Sequence, residues 1–555
     1  MFQQAGLCQA PRAGEKNKNF YLQQLNKWER DPVALWYELK ARQAAKPRKA
    51  RAIDNSPSAR ARRAVKAARE AWAARARAAL EAAAMADADE KTRDALAGKH
   101  PDPRHSLPPF SFAQLPASVH LGEDNVLDAI LSFNKGTSCS VMGLRAQHLA
   151  DALKGSFRAA LLRDLTKVVR TLATGCAPSF LAPFVAGASL AALDKTKKGV
   201  FDVRPIAAGQ IIRRIVAKCM CATQKEKAAK FFRGEVPNAG QFGVACEAGA
   251  ERVIHRTRHE VEVRLKAASE AGVGLEHESK QQDSCHPTHD FVVFKVDFKN
   301  AFNNVSRKQF LQLVLVHFPE IARWVYWCYG KPDGRDPILW FKEWCLASKE
   351  GVQQGDPLGP LLFSLVIQRL IVSITKSCDL ALNLWYLDDG VLAGRSAEVF
   401  KAFNLIQELG PDLGLELNLS KNELVTFFED TPDPFPREVK DVDGVIVSRG
   451  VDRFFRNFEL LGSPIGDAEF CSSFVKTFTK KAVAHTLGPL SSLDDPQVVH
   501  MLLRLCASFC RVVHLLRGVP IIFCMHSSHA SSMRLCAKLS PLAWVCSFRT
   551  QLGNK

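Results

Sequence analysis

Three aspartates at the ends of apolar runs constrain the fold of this chain more than any other feature. Asp388 and Asp389 follow the apolar run 381–387, and Gly390 and a second apolar run, 391–393, come next. Asp-Gly between two apolar runs predicts a β-hairpin whose two-residue turn is Asp389-Gly390. Asp297 ends another predicted strand, 291–297, just before a turn or helix start. The pattern therefore predicts three carboxylates carried by strand ends.

Asp297 and Asp388 are 91 residues apart, so they meet only if their strands are neighbours in one sheet. The intervening helices must then pack on a face of that sheet, which predicts an α+β fold. Clustered carboxylates with no basic residue between them repel one another, and hard oxygen ligands favour Mg²⁺. Two such ions roughly 3.5 to 4 Å apart would hold the attacking and leaving oxygens of a phosphoryl transfer.

Charge and hydropathy narrow the class of partner. The chain has 555 residues, 47% of them hydrophobic, with a net charge of +18 and a pI near 9.3. Its length allows several domains, and its charge favours a polyanion, either nucleic acid or an acidic membrane surface. The apolar stretch 358–375 contains Gln368 and Arg369, which predicts a buried helix rather than a membrane span. Because no signal peptide pattern is found near the start, we expect the protein to be located in the nucleus or cytoplasm.

The amino-terminal part predicts a basic extension. Residues 41–80 hold 12 lysines and arginines against 2 acids. A helix-forming, alanine-rich interval runs from Ser56-Pro57 to Gly98, followed by four prolines at 101–109 that predict a domain boundary. This basic interval is either a solvated helix or an arm that holds RNA or DNA. Residues 46–51 also resemble a nuclear import signal.

Later segments have simpler patterns. Periodicity predicts helices at 124–133 and 146–174, strands within 189–205, and a mostly helical carboxyl-terminal part with 498–516 as its clearest amphipathic stretch. The sixteen cysteines contain no paired CxxC units, so reduced thiols are expected. His277, Cys285, His286 and His289 lie in a polar stretch whose spacing matches no usual zinc module.

The order of motifs resembles that of reverse transcriptases of non-long-terminal-repeat retrotransposons, over about residues 143–466. The specific part is the run of three motifs 296–302, 351–363 and 386–389, preceded by weaker fingers-like motifs at 143–149, 203–206 and 241–243. Residues 413–418 and Lys421 resemble the next palm motif. The resemblance implies an α+β right-hand polymerase fold. Its parts would be a basic, largely helical extension (1–110), fingers (111–290), palm (291–466) and a helical thumb-like region (467–555).

The resemblance also implies roles for the acids. Asp297 and Asp388 would bridge two Mg²⁺ ions, with Mn²⁺ as an alternative, and Asp389 would be the third catalytic acid. The backbone carbonyl of Phe298 would be a further metal ligand. Residues Leu460, Leu461 and Gly462 would form the turn that grips the primer.

Other residues would bind the nucleotide. Arg204 and Lys195 would neutralise its triphosphate, although an exposed basic loop is the alternative for both. Phe302 would collide with a ribose 2′-hydroxyl, or else is ordinary core packing. Gln354 and Gly355 would lie against nucleotide and template. Lys421 would protonate pyrophosphate, or is simply solvated.

Three functions are compatible with these residues. The leading hypothesis is an RNA-directed DNA polymerase of a retroelement that copies an RNA template from a DNA primer with dNTPs, with a nuclease supplied in trans and no membrane partner. An RNA-templated RNA polymerase shares the acids but would not need Phe302. A truncated, non-catalytic remnant would bind RNA through its basic surfaces alone.

Overall fold

The structure is a computed structural model of the full chain. It describes residues 85–134, 137–139, 143–196, 199–234, 238–273, 289–440, 446–490, 495–502 and 513–520, together with residues 23, 27, 30, 62–65 and 493. Most of the predicted basic arm and three of the four residues considered for zinc, His277, Cys285 and His286, lie outside these ranges.

The described ranges contain fifteen α-helices. They are α1 Glu90–Gly98, α2 Glu123–Leu131, α3 Ala146–Ala152, α4 Arg158–Ala173, α5 Ala182–Val185, α6 Ile211–Arg233, α7 Gly249–Val273, α8 Ala301–Asn304, α9 Arg307–His317, α10 Pro319–Tyr329, α11 Gly359–Ser377, α12 Ser396–Leu413, α13 Ala468–Leu490, α14 Pro496–Leu502 and α15 Val513–Gly518. The helix predicted at 146–174 is in fact two, because Gly155 and its neighbours form turns between α3 and α4.

The same ranges contain fourteen strands in four sheets. They are β1 Ala188–Asp194, β2 Val203–Gly209, β3 Ala239–Gln241, β4 Val292–Val296, β5 Ile338–Phe341, β6 Trp344–Ala347, β7 Leu382–Tyr386, β8 Asp389–Gly394, β9 Glu423–Thr426, β10 Val439–Lys440, β11 Ile446–Ser448, β12 Asp452–Phe455, β13 Phe458–Leu460 and β14 Ser463–Ile465. The predicted strands at 291–297 and 381–387 correspond to β4 and β7.

The first sheet has the order β2-β1-β5-β6 and is built on the antiparallel β1–β2 hairpin. Alternate residues of this hairpin, such as Leu190 and Val203, are buried in one apolar cluster with Leu96 of α1. Ala86 also donates a backbone hydrogen bond to Ala192 at 3.0 Å. The last part of the predicted amino-terminal extension therefore completes the core of this sheet.

The central sheet has the order β12-β9-β4-β8-β7-β3 and carries the predicted acids. Its two faces pack differently because side chains alternate along each strand. Residues such as Phe294 and Leu392 join the large core cluster, and α12 packs against β4 and β8 on the helical side. Val293 and Val391 join a second cluster that includes Ile254 of α7. Helices thus cover the sheet on both faces.

Helix α11 is the buried helix predicted at 358–375. By length and composition it is, within the described ranges, the helix that could cross a membrane, but 67% of its apolar window is buried inside the protein. Phe363 and Leu370 are fully buried in the large core. This burial is the pattern of a core helix in a folded domain.

A small hairpin, β13–β14, follows the central sheet and contacts the carboxyl-terminal helices. Arg258 of α7 donates to the backbone oxygens of Pro464 and Gly518, so one buried guanidinium joins α7, the hairpin and α15. Helix α13 packs on β14. The helical character predicted for this part is confirmed for α13, α14 and α15, while residues 503–512 of the stretch 498–516 lie outside the described ranges.

Candidate active site

Strand register brings the three aspartates to one end of the central sheet. Val296 of β4 pairs with Gly390 of β8, so the next position along each strand sets Asp297 opposite Asp389. In the β7–β8 hairpin, Tyr386 pairs with Asp389. Asp388 is therefore in the turn between these strands, adjacent to the Asp297–Asp389 pair.

The turn itself differs from the prediction. The two-residue turn is Leu387-Asp388, and Asp389 and Gly390 already belong to β8, so the prediction of an Asp389-Gly390 turn was wrong. Gly390 is required for another reason: a Cβ there would lie 2.5 Å from the ring of Trp385. Leu387 has φ +57°, a left-handed conformation that non-glycine residues seldom adopt.

The face of the sheet decides where the acids point. Asp297 lies two residues beyond Lys295 and four beyond Val293, so these three share a face, and paired Asp389 lies on it too. Val293 belongs to the second core cluster, which also contains Leu460 of the β13–β14 hairpin. The acids thus lie at the open end of the face that the predicted primer-gripping hairpin covers.

Asp297 is held by the segment after α12. Asn418 Nδ2 donates to Asp297 Oδ2 at 2.9 Å, and Asn422 Oδ1 accepts from the Asp297 backbone N–H at 2.7 Å. Lys421 Nζ lies 3.9 Å from the same carboxylate, and its side chain is 68% exposed. The asparagines therefore fix the position of Asp297, while the lysine adds a loosely placed, solvated charge.

Burial raises the pKa of all three acids, and repulsion between carboxylates raises it further at Asp388 and Asp389. Desolvation is the first cause for each, and it is opposed at Asp297 by Lys421 and by the Asn418 hydrogen bond. The pKa of Asp388 is raised by burial and then by the charge of Asp297. The pKa of Asp389 rises to about 6 because desolvation is reinforced by both neighbouring carboxylates. Such coupling is the electrostatic signature of carboxylates that share one site.

Cations from three elements oppose this repulsion. Arg204, exposed on β2 of the first sheet, lowers the pKa of both Asp388 and Asp389. Lys295 also lowers the pKa of Asp389, and it forms a partly buried ion pair with Glu423 of β9 at 2.6 Å. Arg204 of the first sheet therefore acts electrostatically on the acids, and Lys295 is a basic residue of the site that the sequence did not lead us to expect.

The residue types suit a hard divalent cation. Carboxylate oxygens are the ligands that Mg²⁺ and Mn²⁺ prefer. Within the described ranges, however, no three His, Cys, Asp or Glu side chains are grouped closely enough to form a metal site as they stand. The donor types of the three aspartates therefore fit such a cation, while their present spacing is not that of a formed metal site.

Three predicted nucleotide-site residues lie in helix α8 and in the loop before α11: Phe302 in the helix, Gln354 and Gly355 in the loop. Phe302 in α8 stacks on Phe363 of α11, with ring centroids 4.6 Å apart, and its carbonyl accepts from the Val352 N–H at 2.8 Å. Gln354 accepts from the Ala207 N–H at 2.7 Å through its carbonyl. At Gly355, φ is +132° and a Cβ would lie 2.2 Å from the Ala207 carbonyl oxygen. Gly355 thus permits close approach of the loop to β2.

The remaining predicted residues are more peripheral. Lys195 follows the last residue of β1 in an exposed connection, where its backbone N–H donates to Asp202 at 2.8 Å. Leu461 and Gly462, with φ of +46° and +79°, form the two-residue turn of the β13–β14 hairpin. The turn carbonyl of Leu461 contacts His514 Nε2 at 2.9 Å. Phe298 is buried, and its backbone bridges to Leu417.

Sequence reasoning assigned no role to four residues of the site. Asn418 and Asn422 position Asp297, and Lys295 and Glu423 supply an ion pair beside Asp389. Lys295 was detectable, because strand alternation places a residue two before Asp297 on the same face. The asparagines act through spatial proximity across more than 120 positions, which no local pattern reveals.

Comparison with known families agrees with this geometry. Residues 251–465 match the family described as reverse transcriptase (RNA-dependent DNA polymerase). The chain carries a reverse transcriptase domain. Members of this family are RNA-directed DNA polymerases, which are nucleotidyltransferases that use divalent metal ions and have the right-hand polymerase fold. The matched segment contains the three aspartates and Phe302 but begins after Arg204.

Among solved structures, the chain is similar to a telomerase from Candida albicans in complex with a TWJ fragment of telomeric RNA, at 14% identity and a TM-score of 0.32. The likeness covers 57% of this chain and 53% of that chain, so the two share about half of their lengths. No match to the chain was found among curated protein sequences.

Proposed function

We propose that this protein is an RNA-directed DNA polymerase of a retroelement, which extends a DNA primer on an RNA template with dNTPs. The observation that carries the proposal is the convergence of Asp297, Asp388 and Asp389 at one sheet end with Arg204 acting on two of them. Opposite charges from separate sheets facing one another suit a triphosphate held against metal-binding carboxylates.

In this proposal two Mg²⁺ ions, or Mn²⁺, would acidify the primer 3′-hydroxyl and neutralise charge on the leaving pyrophosphate. Asp297, Asp388, Asp389 and the Phe298 carbonyl would hold these ions. Arg204 would bind the triphosphate with its planar fork, and Lys195 would add a point charge. Lys421, solvated and near Asp297, would give a proton to pyrophosphate.

The other contacts would position the reactants. The Phe302 ring, fixed by stacking on Phe363, would lie under the sugar and exclude a 2′-hydroxyl. Gln354 and Gly355 would contact the incoming nucleotide and template. The hairpin turn at Leu460-Leu461-Gly462, on the same face as the acids, would hold the primer end. A nuclease acting in trans would supply primers.

We also propose the division into an extension (1–110), fingers (111–290), palm (291–466) and a thumb-like region (467–555). Three segments depart from it: α1 packs against the first sheet, β3 pairs within the central sheet, and β5 and β6, from the palm range, belong to the first sheet.

Primer extension on poly(rA)/oligo(dT) with Mg²⁺ and dTTP tests the function. We expect wild-type protein to extend the primer, Asp388→Asn to abolish extension while keeping RNA affinity, and Asp379→Asn, an exposed acid 88% accessible, to behave as wild type. RNA binding without extension by wild type would instead identify a non-catalytic remnant, and efficient use of rUTP would identify an RNA polymerase.

A further inference from the structure

We infer that Gln241 is a positioning residue that holds the catalytic turn, Leu387-Asp388, in its working conformation. The inference rests on the proposed function for its effect on rate, and on geometry alone for its effect on the turn. Gln241 lies ten residues before the matched family segment begins, and sequence similarity placed it among the fingers motifs. The structure places it in the palm sheet instead, as the last residue of β3.

The Gln241 amide satisfies both backbone polar groups of Leu387. Its Oε1 accepts from the Leu387 N–H at 2.7 Å, and its Nε2 donates to the Leu387 carbonyl at 3.0 Å. The same Oε1 accepts from the Gly243 N–H at 2.8 Å. The Gln241 side chain is fully buried, so these bonds form away from water. Strand β3 pairs with β7 only as far as Gln241 and Trp385. Beyond that pair, the Gln241 side chain supplies the two hydrogen bonds that a neighbouring strand would otherwise make to Leu387.

Leu387 needs such support because its φ is +57°. A leucine in the left-handed region persists only where its surroundings over-determine it. Asp388 is the next residue, so any relaxation of Leu387 moves the carboxylate. The clamp is reinforced by the Phe242 N–H, which donates to the Trp385 carbonyl at 2.7 Å.

Gly243 explains why the segment approaches so closely. A Cβ at this position would lie 2.6 Å from both the backbone nitrogen and Cγ of Leu387. Only glycine leaves room for the turn to pack against the segment. Gln241 and Gly243 thus act on the same residue, one through hydrogen bonds and one through absence of a side chain.

The test compares Gln241→Met, which keeps length and removes hydrogen bonding, with Gln241→Glu. Gln224→Met is the matched control, because Gln224 is also buried but lies in α6 and donates to Thr223. We expect Gln241→Met to lower the maximal rate of dTTP incorporation by about 10- to 100-fold, the usual cost of a displacement near 1 Å at a reacting group. Half-saturation by dTTP should change by less than about threefold, because substrate binding rests on other residues.

Gln241→Glu supplies a second readout. The ionised carboxylate of this variant would accept from Leu387 and Gly243 but could not donate to the Leu387 carbonyl, and protonation would restore that donor. We therefore expect the rate of this variant, relative to wild type, to rise as pH falls from about 8 to about 6, the range in which a fully buried carboxyl group titrates. A residue with only a general structural role would give a ratio independent of pH.

Hydrogen exchange tests the clamp without activity. We expect faster exchange of the Leu387 amide in Gln241→Met and unchanged exchange there in Gln224→Met. Wild-type exchange rates at Leu387 in Gln241→Met would overturn the inference. The inference would also be overturned if Gln241→Met and Gln224→Met lost both rate and dTTP affinity to the same extent. If wild type extended no primer, the proposed function would fail, while the exchange result would still decide the inference.

Discussion

Replacing Asp356 by Asn should destabilise the protein strongly, because it breaks a fully buried ion pair. Asp356 Oδ2 accepts from Arg213 of α6 at 2.7 Å, and the two side chains are 3% and 2% exposed. The Tyr329 hydroxyl donates to the same oxygen at 2.6 Å. Burial works against the charge of Arg213, but the neighbouring Asp356 more than offsets this, and the net effect raises the pKa of the guanidinium. Arg213 therefore stays charged.

The Asp356→Asn substitution keeps the shape of the side chain and leaves the Arg213 charge buried without its counter-ion. Such a change costs about 3 to 5 kcal/mol. The loss should be felt in the candidate nucleotide site, because Arg213 also donates to Gln353, next to Gln354. Replacing both partners by apolar residues, as in Arg213→Met/Asp356→Leu, removes the uncompensated charge and should cost less than the single change.

Urea unfolding followed by tryptophan emission measures this difference. Trp324 and Trp327 are buried in α10, the helix that ends at Tyr329, so their emission reports on this cluster. With a denaturant slope of about 3 kcal/mol per M, a loss of about 3 kcal/mol would move the midpoint by about 1 M. A shift below about 0.3 M for Asp356→Asn, or a double variant less stable than both single variants, would refute the reasoning.

Three further predictions concern the candidate active site. Phe302→Ala should raise ribonucleotide use relative to deoxynucleotide use by roughly 10- to 100-fold, while Phe302→Tyr keeps the ring and the selectivity; competition between rUTP and dTTP measures it, and unchanged selectivity in Phe302→Ala would exclude the steric role. Because the pKa of Asp389 is raised to about 6, its contribution to stability is present at low pH and lost as pH rises through about 6. Without metal, Asp389→Asn should therefore be more stable than wild type at about pH 7.5, with the difference vanishing below about pH 4; equal stability at the higher pH would contradict the shift. Gly355→Ala should weaken dTTP binding, measured as the dTTP concentration at half-saturation, because the new methyl group meets the Ala207 carbonyl. The control Gly334→Ala is also at positive φ but has no atom within 4 Å of the new Cβ, so it should leave dTTP binding unchanged. Equal effects of the two changes would show that backbone strain, and not this contact, weakens binding.

The strands that carry the acids could be predicted from the sequence, because each is an apolar run of the length of a strand with clear ends. Strands β4 and β7 begin and end within about one residue of the predicted runs, and the buried helix α11 matches the apolar stretch 358–375. These elements are decided by local hydrophobic patterns, which a single sequence contains. The prediction that the strands carrying Asp297 and Asp388 share one sheet is confirmed, but the prediction that they are direct neighbours was wrong, because β8 lies between β4 and β7 and pairs with both.

The position of the turn that carries Asp388 could not be predicted from the sequence. Asp389-Gly390 has the strongest local turn preference, yet both residues are in β8. The glycine is needed there because a Cβ would overlap the ring of Trp385. The turn forms at Leu387-Asp388, where the left-handed residue is a leucine. Its stabilising hydrogen bonds come from Gln241, 146 positions earlier in the chain. Local propensity was overridden by a tertiary contact that no window of sequence contains.

The same dependence on distant contacts applies to the whole arrangement of charges. Asp297 is fixed by Asn418 and Asn422, which lie within the matched segment 251–465. The turn that carries Asp388 is fixed by Gln241, and Arg204 of the first sheet acts on the charge of Asp388; both residues lie before that segment. That sheet is in turn completed by Leu96 of α1. The pKa values of Asp388 and Asp389 respond to Arg204, and the turn that carries Asp388 is bonded to Gln241, so the arrangement of the acids depends on residues on both sides of the family boundary at 251. The candidate site therefore extends beyond the matched segment, and its supporting contacts reach α1 through Leu96.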